Sequence, residues 1–435
     1  MRYHIWTEGC QMNEADSDKL AAGLANLGWE PALKADEADL AVVNTCVIRQ
    51  KAEDRAVGYM TQLRKLKERK GGMQVAVMGC MVGPRTDELR ERFPFVDVWA
   101  RPQSFEVILR HILPGDDLGG EFWPDVFPEP KGPTAFVPVV HGCNKFCTYC
   151  IVPYRRGRER SRSMEEIVRE AVSLAGRGVK ELTLLGQTVE AYGKDLPEIP
   201  GKTRKPDLAD LFETLSTVEG LERIRFLTSY PRDMTDRIIQ SVAEQPRVCE
   251  HFNIPVQSGD DDVLAKMRRG YTVEEYLDCV ARIRRYVPGA SLSSDVIVGF
   301  CGETEAQFLN TLRLLEDLRF DKVHVAAYSP RPGTIAWRHM EDTVPLDEKM
   351  RRLHAVEEQQ ERIAREITGA LLGTVQEVLV EGEKDCVFTG RNRGNKLVHF
   401  TSQSPVTIGD MVLVRVERAT AWSLKGTPAG APVLA

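Results

Sequence analysis

From Tyr3 to Tyr328 short apolar runs alternate with stretches of helical spacing, and this alternation constrains the fold more than any other feature of the chain. Tyr3–Trp6, Leu40–Val43 and Val75–Met78 read as strands, with helices over Asp16–Leu27, Arg49–Lys70 and Arg85–Phe93. Strand-helix alternation of this kind implies an α/β fold with a doubly wound parallel sheet, here over residues 1–115. The Pro-, Gly- and acid-rich run Pro114–Pro133 then breaks the pattern, so residues 116–133 read as a linker. Six further strands follow: Ala135–Val140, Glu181–Leu185, Ile224–Leu227, His251–Ile254, Ser291–Val298 and Lys322–Tyr328. Helical stretches such as Met164–Arg177, Val273–Tyr286 and Glu305–Leu318 separate them. Units of roughly 30–45 residues suit a partial (βα)6 barrel over 134–366. After the charged helix Leu346–Ile367 come Thr374–Val380, Val387–Arg391, Lys396–Phe400 and Met411–Glu417, short β segments with Gly turns. They suit a small OB-like β-barrel over 367–432, a fold often used to bind oligonucleotides.

The 435 residues are 42% hydrophobic, enough for several real cores. A net charge of -6 places any nucleic-acid contact in a local patch rather than in a global field. No run of about 18 apolar residues is present, so no membrane span is expected. The first residues lack the basic start and apolar core of a signal peptide. Ten cysteines in a chain this long fit metal-bound thiols in a reducing cytoplasm better than a secreted disulfide framework.

Three of those cysteines, Cys143, Cys147 and Cys150, lie in the run HGCNKFCTYC just after the first barrel strand. Barrel chemistry is expected at such C-terminal strand ends. Three thiolates on one loop hold three irons of a [4Fe–4S] cluster and leave the fourth open for a ligand. A structural zinc site would use four ligands. Cys10, Cys46 and Cys80 each follow a strand of the first domain, in YHIWTEGC, LAVVNTC and VAVMGC. In a parallel sheet those strand ends open on one edge, so the three could converge on a second cluster or be buried inert thiols. Cys249, Cys279, Cys301 and Cys386 have no partner spacing and read as structural thiols. His141 reads as a packed histidine, because the cysteines already account for the site.

The loop CNKFCTYC resembles that of radical S-adenosylmethionine (SAM) enzymes, with the aromatic Tyr149 before its third cysteine. Together with Cys10, Cys46, Cys80 and the small barrel, the whole chain resembles the methylthiotransferases. That resemblance implies an N-terminal methylthiotransferase domain, a radical SAM domain and a TRAM domain. The runs TEGCQMNEADS, NTCVIRQKAE, LGQTVEAYG, PVQSGDDDVLAKMRRGYT and YSPRPGT are similar to the tRNA branch. This branch methylthiolates C2 of N6-dimethylallyl(isopentenyl)adenosine at position 37 of tRNA, beside the anticodon. The branches acting on threonylcarbamoyl-adenosine or on a ribosomal protein are the alternatives, and a non-catalytic iron–sulfur RNA-binding or electron-transfer protein is a rival of another class.

The resemblance implies two [4Fe–4S] clusters, with Cys143, Cys147 and Cys150 on the SAM-binding one and Cys10, Cys46 and Cys80 on an auxiliary one. In this family one SAM methylates a sulfur held at the auxiliary cluster, and a second yields the 5′-deoxyadenosyl radical that activates C2. It also implies an electron donor such as flavodoxin or ferredoxin, and sulfur-supplying or cluster-assembly proteins. No catalytic residue beyond the cluster ligands is expected. Tyr149, Gln187, Ser229, Gln257, Val298 and Gly299 are the candidate SAM contacts, because polar or small residues at strand ends suit its ribose, methionine and adenine groups. The run YRRGRERSR suits phosphate binding through Arg155, Arg156 and Arg158, or else these arginines brace the loop. GRNRGNK adds Arg391, Arg393 and Lys396 as candidate RNA contacts. Two positions depart from the family pattern. Cys301 replaces the usual proline in GFCGET, which leaves the turn less rigid, and Thr188 stands where Asn is more common.

Overall fold

The computed structural model describes residues 1–47, 50–113, 127–201 and 203–429. Ile48 and Arg49, most of the expected linker, and residues 430–432 of the expected third domain lie outside the described residues. The chain divides into two compact units. The first holds residues 1–129, 136–174 and 329–338, and the second holds 130–135, 175–328 and 339–435.

In the first unit, β1 (Arg2–Thr7), β2 (Glu30–Pro31), β3 (Leu40–Thr45), β4 (Gln74–Gly79) and β5 (Val98–Ala100) form one sheet in the order β2–β1–β3–β4–β5. Every pairing is parallel. Strand period sends alternate side chains to opposite faces. Thus Ala41, Val43, Val75 and Val77 join one apolar cluster, while Leu40, Val42, Ala76 and Met78 join another. Helix α1 (Gln11–Asn26) covers the second cluster with Leu20 and Leu24. Helix α2 (Gln50–Lys70) covers the first with Ala56, Met60 and Leu63. Each fully buried Leu or Val contributes about 1.5–3 kcal/mol. The short β2 and β5 were not expected. They are too brief to show an alternating pattern of their own.

The strand β6 (Thr134–Pro138) starts in the second unit, where the carbonyl of Pro133 accepts from the N–H groups of Lys180 and Glu181. Back in the first unit, β7 (Val140–His141) and β8 (Arg160–Ser161) pair antiparallel around the cysteine loop. Between them runs a short helix, Val152–Arg156. The segment 329–338 completes this unit. Its Ala336 N–H donates to the carbonyl of Thr148 at 2.8 Å. Its Arg331 Nη1 donates to Gln50 Oε1 at 2.9 Å.

The second unit contains the remaining parallel strands: β9 (Glu181–Leu185), β10 (Arg223–Leu227), β11 (His251–Asn253), β12 (Ser291–Val298) and β13 (Lys322–Ala327). β9 pairs with β10, and β11–β12–β13 form one sheet. A bridge from Ile224 to Val248 carries the arc from β10 towards β11. Helices return each strand to the start of the next. Val273–Tyr286 and Glu305–Leu318 fall where the sequence placed them, each opened by a capping box (Thr272 with Glu275, Thr304 with Gln307).

After Leu346–Gly369, a closed five-strand barrel follows: β14 (Val375–Lys384), β15 (Val387–Asn392), β16 (Leu397–Phe400), β17 (Met411–Ala419) and β18 (Ser423–Pro428). β18 was not expected; it closes the barrel by pairing parallel with β16 and antiparallel with β17. Val378, Val398, Phe400, Val414 and Leu424 fill its interior. The barrel is tied to the starts of β9 and β10 by buried charge. Arg225 pairs with Glu181 at 2.9 Å, both side chains being 4% exposed. It also donates to the carbonyls of Asn392 and Arg393, each at 2.7 Å. The fully buried Arg223 donates to the Glu377 carboxylate at 2.8 Å and to the Arg391 carbonyl at 2.8 Å.

Candidate active site

Both three-cysteine sets lie in the first unit. Cys46 and Cys80 directly follow β3 and β4, and Cys10 stands three residues past β1. These strands are neighbours in the sheet, so the three cysteines share its C-terminal edge. Gly79 permits the approach of the last two strand ends. Its φ is +95°, and a Cβ there would lie 2.5 Å from the Thr45 carbonyl oxygen. The Cys80 N–H then donates to that same carbonyl at 2.8 Å.

Cys10 stands at the N-cap position of α1 without a side-chain capping bond, and a buried polar network holds that end against β3. Asn13 Nδ2 donates to Asn44 Oδ1 (2.8 Å) and to the Thr45 carbonyl (3.0 Å). Asn44 Nδ2 donates to the Asn13 carbonyl (2.7 Å) and to Ser17 Oγ (2.9 Å). Asn13, Asp16 and Ser17 occupy the same helical stripe as the core residues Leu20 and Leu24. Polar side chains on a core stripe are the signal by which this network could have been found in the sequence.

The second set sits on a tightly wrapped loop. The Cys143 N–H donates to the Gly157 carbonyl at 3.1 Å, and the Cys150 N–H to the Cys147 carbonyl at 3.0 Å. The Lys145 N–H points at Cys143 Sγ, 3.5 Å away. Asn144 bonds both carboxylate oxygens of Glu159, at 3.0 and 3.1 Å. Gly142 adopts φ +70°, and a Cβ there would lie 2.0 Å from the Arg158 carbonyl oxygen. His141 is held through Gln103 at 2.6 Å, and burial pushes its pKa down to about 3, with Arg162 and Arg156 adding to the shift. It is therefore a neutral packed ring, as expected.

The donor set fits iron–sulfur clusters. All ten cysteines are free thiols. Three thiols on one loop and three on one sheet edge are the donor type that iron–sulfur clusters use.

Of the expected SAM contacts, Tyr149 is half-buried in the first unit beside Cys150. The others share the C-terminal strand edge of the second unit. Gln187 follows β9, Ser229 follows β10, and Val298 with Gly299 ends β12. Ser229 Oγ is buried without a hydrogen-bond partner. Gln257 has φ +73° and bridges Val296. The Gly299 turn is braced by Glu303, whose carboxylate accepts the Gly299 N–H at 2.6 Å and pairs with buried Arg352 at 2.8 Å.

Glu190 was not singled out in the sequence. It is buried past the end of β9, with Oε2 accepting the Tyr230 N–H at 3.1 Å and Oε1 unpartnered. Burial pushes its carboxyl from the usual 4.5 up to about 7, against backbone N–H groups that favour the charged form. The folded state therefore keeps a proton that the unfolded chain releases above pH 4.5. Stability present below that pH is lost as pH rises to about 7. The loss amounts to roughly 3 kcal/mol. Urea midpoints measured from pH 5 to pH 8 should fall for wild type relative to Glu190→Gln, and parallel profiles would refute the assignment.

Of the expected RNA contacts, Arg156 is 7% exposed and paired with Asp16 at 2.8 Å. Arg393 pairs with Glu250 at 2.7 Å, and Lys396 with Asp321, so both brace the small barrel. Arg155 is half-buried, its guanidinium packed over Gly83. Arg158 is exposed, its guanidinium 4.5 Å from the Phe146 ring centre. Arg391 keeps 42% of its side chain exposed beside Glu381.

Three family models match the chain: the radical SAM superfamily over residues 137–315, uncharacterized protein family UPF0004 over 2–101, and the TRAM domain over 369–429. In fold the chain is similar to the radical S-adenosylmethionine methyltransferase TsrM from Kitasatospora setae, solved with cobalamin and a [4Fe–4S] cluster. That likeness has a TM-score of 0.58 at 14% identity, covering 86% of this chain and 80% of the other. These matches define a radical SAM enzyme. The tRNA-2-methylthio-N6-dimethylallyladenosine synthase of Dehalococcoides mccartyi strain CBDB1 is 45% identical over 97% of both chains. That of Dictyoglomus thermophilum is 42% identical over 98% of both. The chain belongs to the tRNA methylthiotransferase family that these synthases represent. The family's cofactors are SAM and [4Fe–4S] clusters.

Proposed function

We propose that this enzyme methylthiolates C2 of N6-dimethylallyladenosine at position 37 of tRNA. The observation that carries the reading is the placement of two three-cysteine sets in one compact unit, one on a sheet edge and one on a wrapped loop. The relatives' names supply the substrate. Cys143, Cys147 and Cys150 would hold the SAM-binding cluster, and Cys10, Cys46 and Cys80 the auxiliary one. When bound, these clusters supply one-electron chemistry and the sulfur to be transferred.

The chain's own residues do the positioning. Gly142 and the β7–β8 ladder fix the loop, and the Asn13–Asn44 network fixes Cys10 against β3. Tyr149, Gln187, Ser229, Gln257, Val298 and Gly299 are proposed for SAM, with the unpartnered Ser229 Oγ available to a polar group. Arg158, which is exposed, and Arg391, whose side chain is 42% exposed, are proposed for RNA. The proposed domains are 1–115, 134–366 and 367–432, joined by a linker over 116–133. A flavodoxin- or ferredoxin-like donor, sulfur-supplying proteins and a cytoplasmic location complete the proposal. Among the described residues no helix is long and apolar enough to cross a membrane.

The test is an anaerobic reaction of reduced, reconstituted protein with SAM and tRNA that carries isopentenyladenosine. Mass spectrometry of the nucleoside digest should show the 2-methylthio derivative. Product only from threonylcarbamoyl-adenosine tRNA would move the chain to another branch.

A further inference from the structure

Arg156 ends the short helix that follows the cysteine loop, yet its guanidinium lies inside the first unit among residues of the other cysteine set. Its side chain is 1% exposed and that of Asp16 2%. Nη2 donates to Asp16 Oδ2 at 2.8 Å and reaches Asn13 Oδ1 at 3.4 Å. Nη1 is equally buried and has no hydrogen-bond partner. The groups whose charge acts on the guanidinium are Asp16, Cys80 and Cys10. A buried guanidinium with a spare donor calls for an acceptor, and two of its three charged neighbours are proposed cluster ligands. Second-sphere donors of this kind orient ligands and tune a metal centre.

We propose that Arg156 is a positioning residue for the auxiliary cluster: clamped by Asp16, it directs its free N–H at the sulfur of Cys80 or of the cluster. It thereby ties the loop of Cys143, Cys147 and Cys150 to the sheet edge of Cys10, Cys46 and Cys80. The proposal rests on the reading that this second set holds a cluster. A fixed positive charge there favours the reduced, more negative state of the cluster and raises its midpoint potential.

The test uses the full chain with Cys143, Cys147 and Cys150 all replaced by Ala, so that only the auxiliary cluster remains. Iron and sulfide are counted, and the midpoint potential is measured by titration followed in EPR. In that background Arg156→Met is expected to lower the potential or to lose iron, while Arg156→Lys keeps the charge and restores most of either. Asp16→Asn frees the clamp and should shift the potential less than Arg156→Met does. Should Arg156→Met fail to fold, the comparison of Arg156→Lys and Asp16→Asn with the parent decides: both at the parent potential and iron content would overturn the proposal. An unchanged potential with full iron in Arg156→Met would overturn it as well. Absence of iron from the parent itself would instead remove the cluster reading on which the proposal rests.

Discussion

Cys147→Ala is expected to reduce 5′-deoxyadenosine release from reduced protein and SAM to background. The iron and sulfide content should fall from two clusters' worth to about one. Cys147 is the middle member of its loop and only 6% exposed. Its backbone carbonyl takes the Cys150 N–H, a bond that the substitution keeps. The clamp at Gly142, the Asn144–Glu159 bonds and the β7–β8 ladder also survive, because none uses the thiol. The loss would thus be of a ligand and not of the loop. Release of 5′-deoxyadenosine at the wild-type rate would remove Cys147 from the ligand set.

The second large effect concerns the base of the parallel strands. Arg225→Met leaves the Glu181 carboxylate 4% exposed without its nearest cation, since Arg223 stands 3.9 Å off. It also strips the Asn392 and Arg393 carbonyls of their donors. Breaking a buried pair in this way costs about 3–5 kcal/mol. Removing both charges, as in Arg225→Met with Glu181→Leu, should recover much of that loss, because well-packed apolar replacements of buried pairs are often neutral. Guanidinium midpoints of the three proteins would show it. Equal midpoints for wild type and Arg225→Met would mean that water, not protein, already satisfies Glu181.

What the sequence disclosed followed from how local each signal is. Glu181–Leu185, Ser291–Val298 and the capped helices were legible because apolar period and caps lie within a few residues. β5 has only three residues, and β18 carries Gly and Pro, so neither shows an alternating run. The cysteine positions were legible for the same local reason, each being next to a strand. The basic runs were not, because composition does not reveal where a guanidinium points. Of YRRGRERSR, Arg156 turns inward to Asp16, a residue 140 positions away, while Arg158 faces outward. Likewise Arg393 and Lys396 find acids on the strands and loops of the neighbouring barrel, Glu250 and Asp321.

The segment 329–338 bears on how the enzyme is made. Arg331 and Gln50 meet across 281 positions, and Thr148 waits for Ala336 to take its carbonyl. A ribosome therefore exposes all six cysteines of the two sets before the segment that completes their unit has emerged. Domains usually fold as they leave the ribosome, N-terminal first. This one is denied that schedule. The first unit closes only after residue 338 has emerged, and its thiols need shelter from oxidation until then.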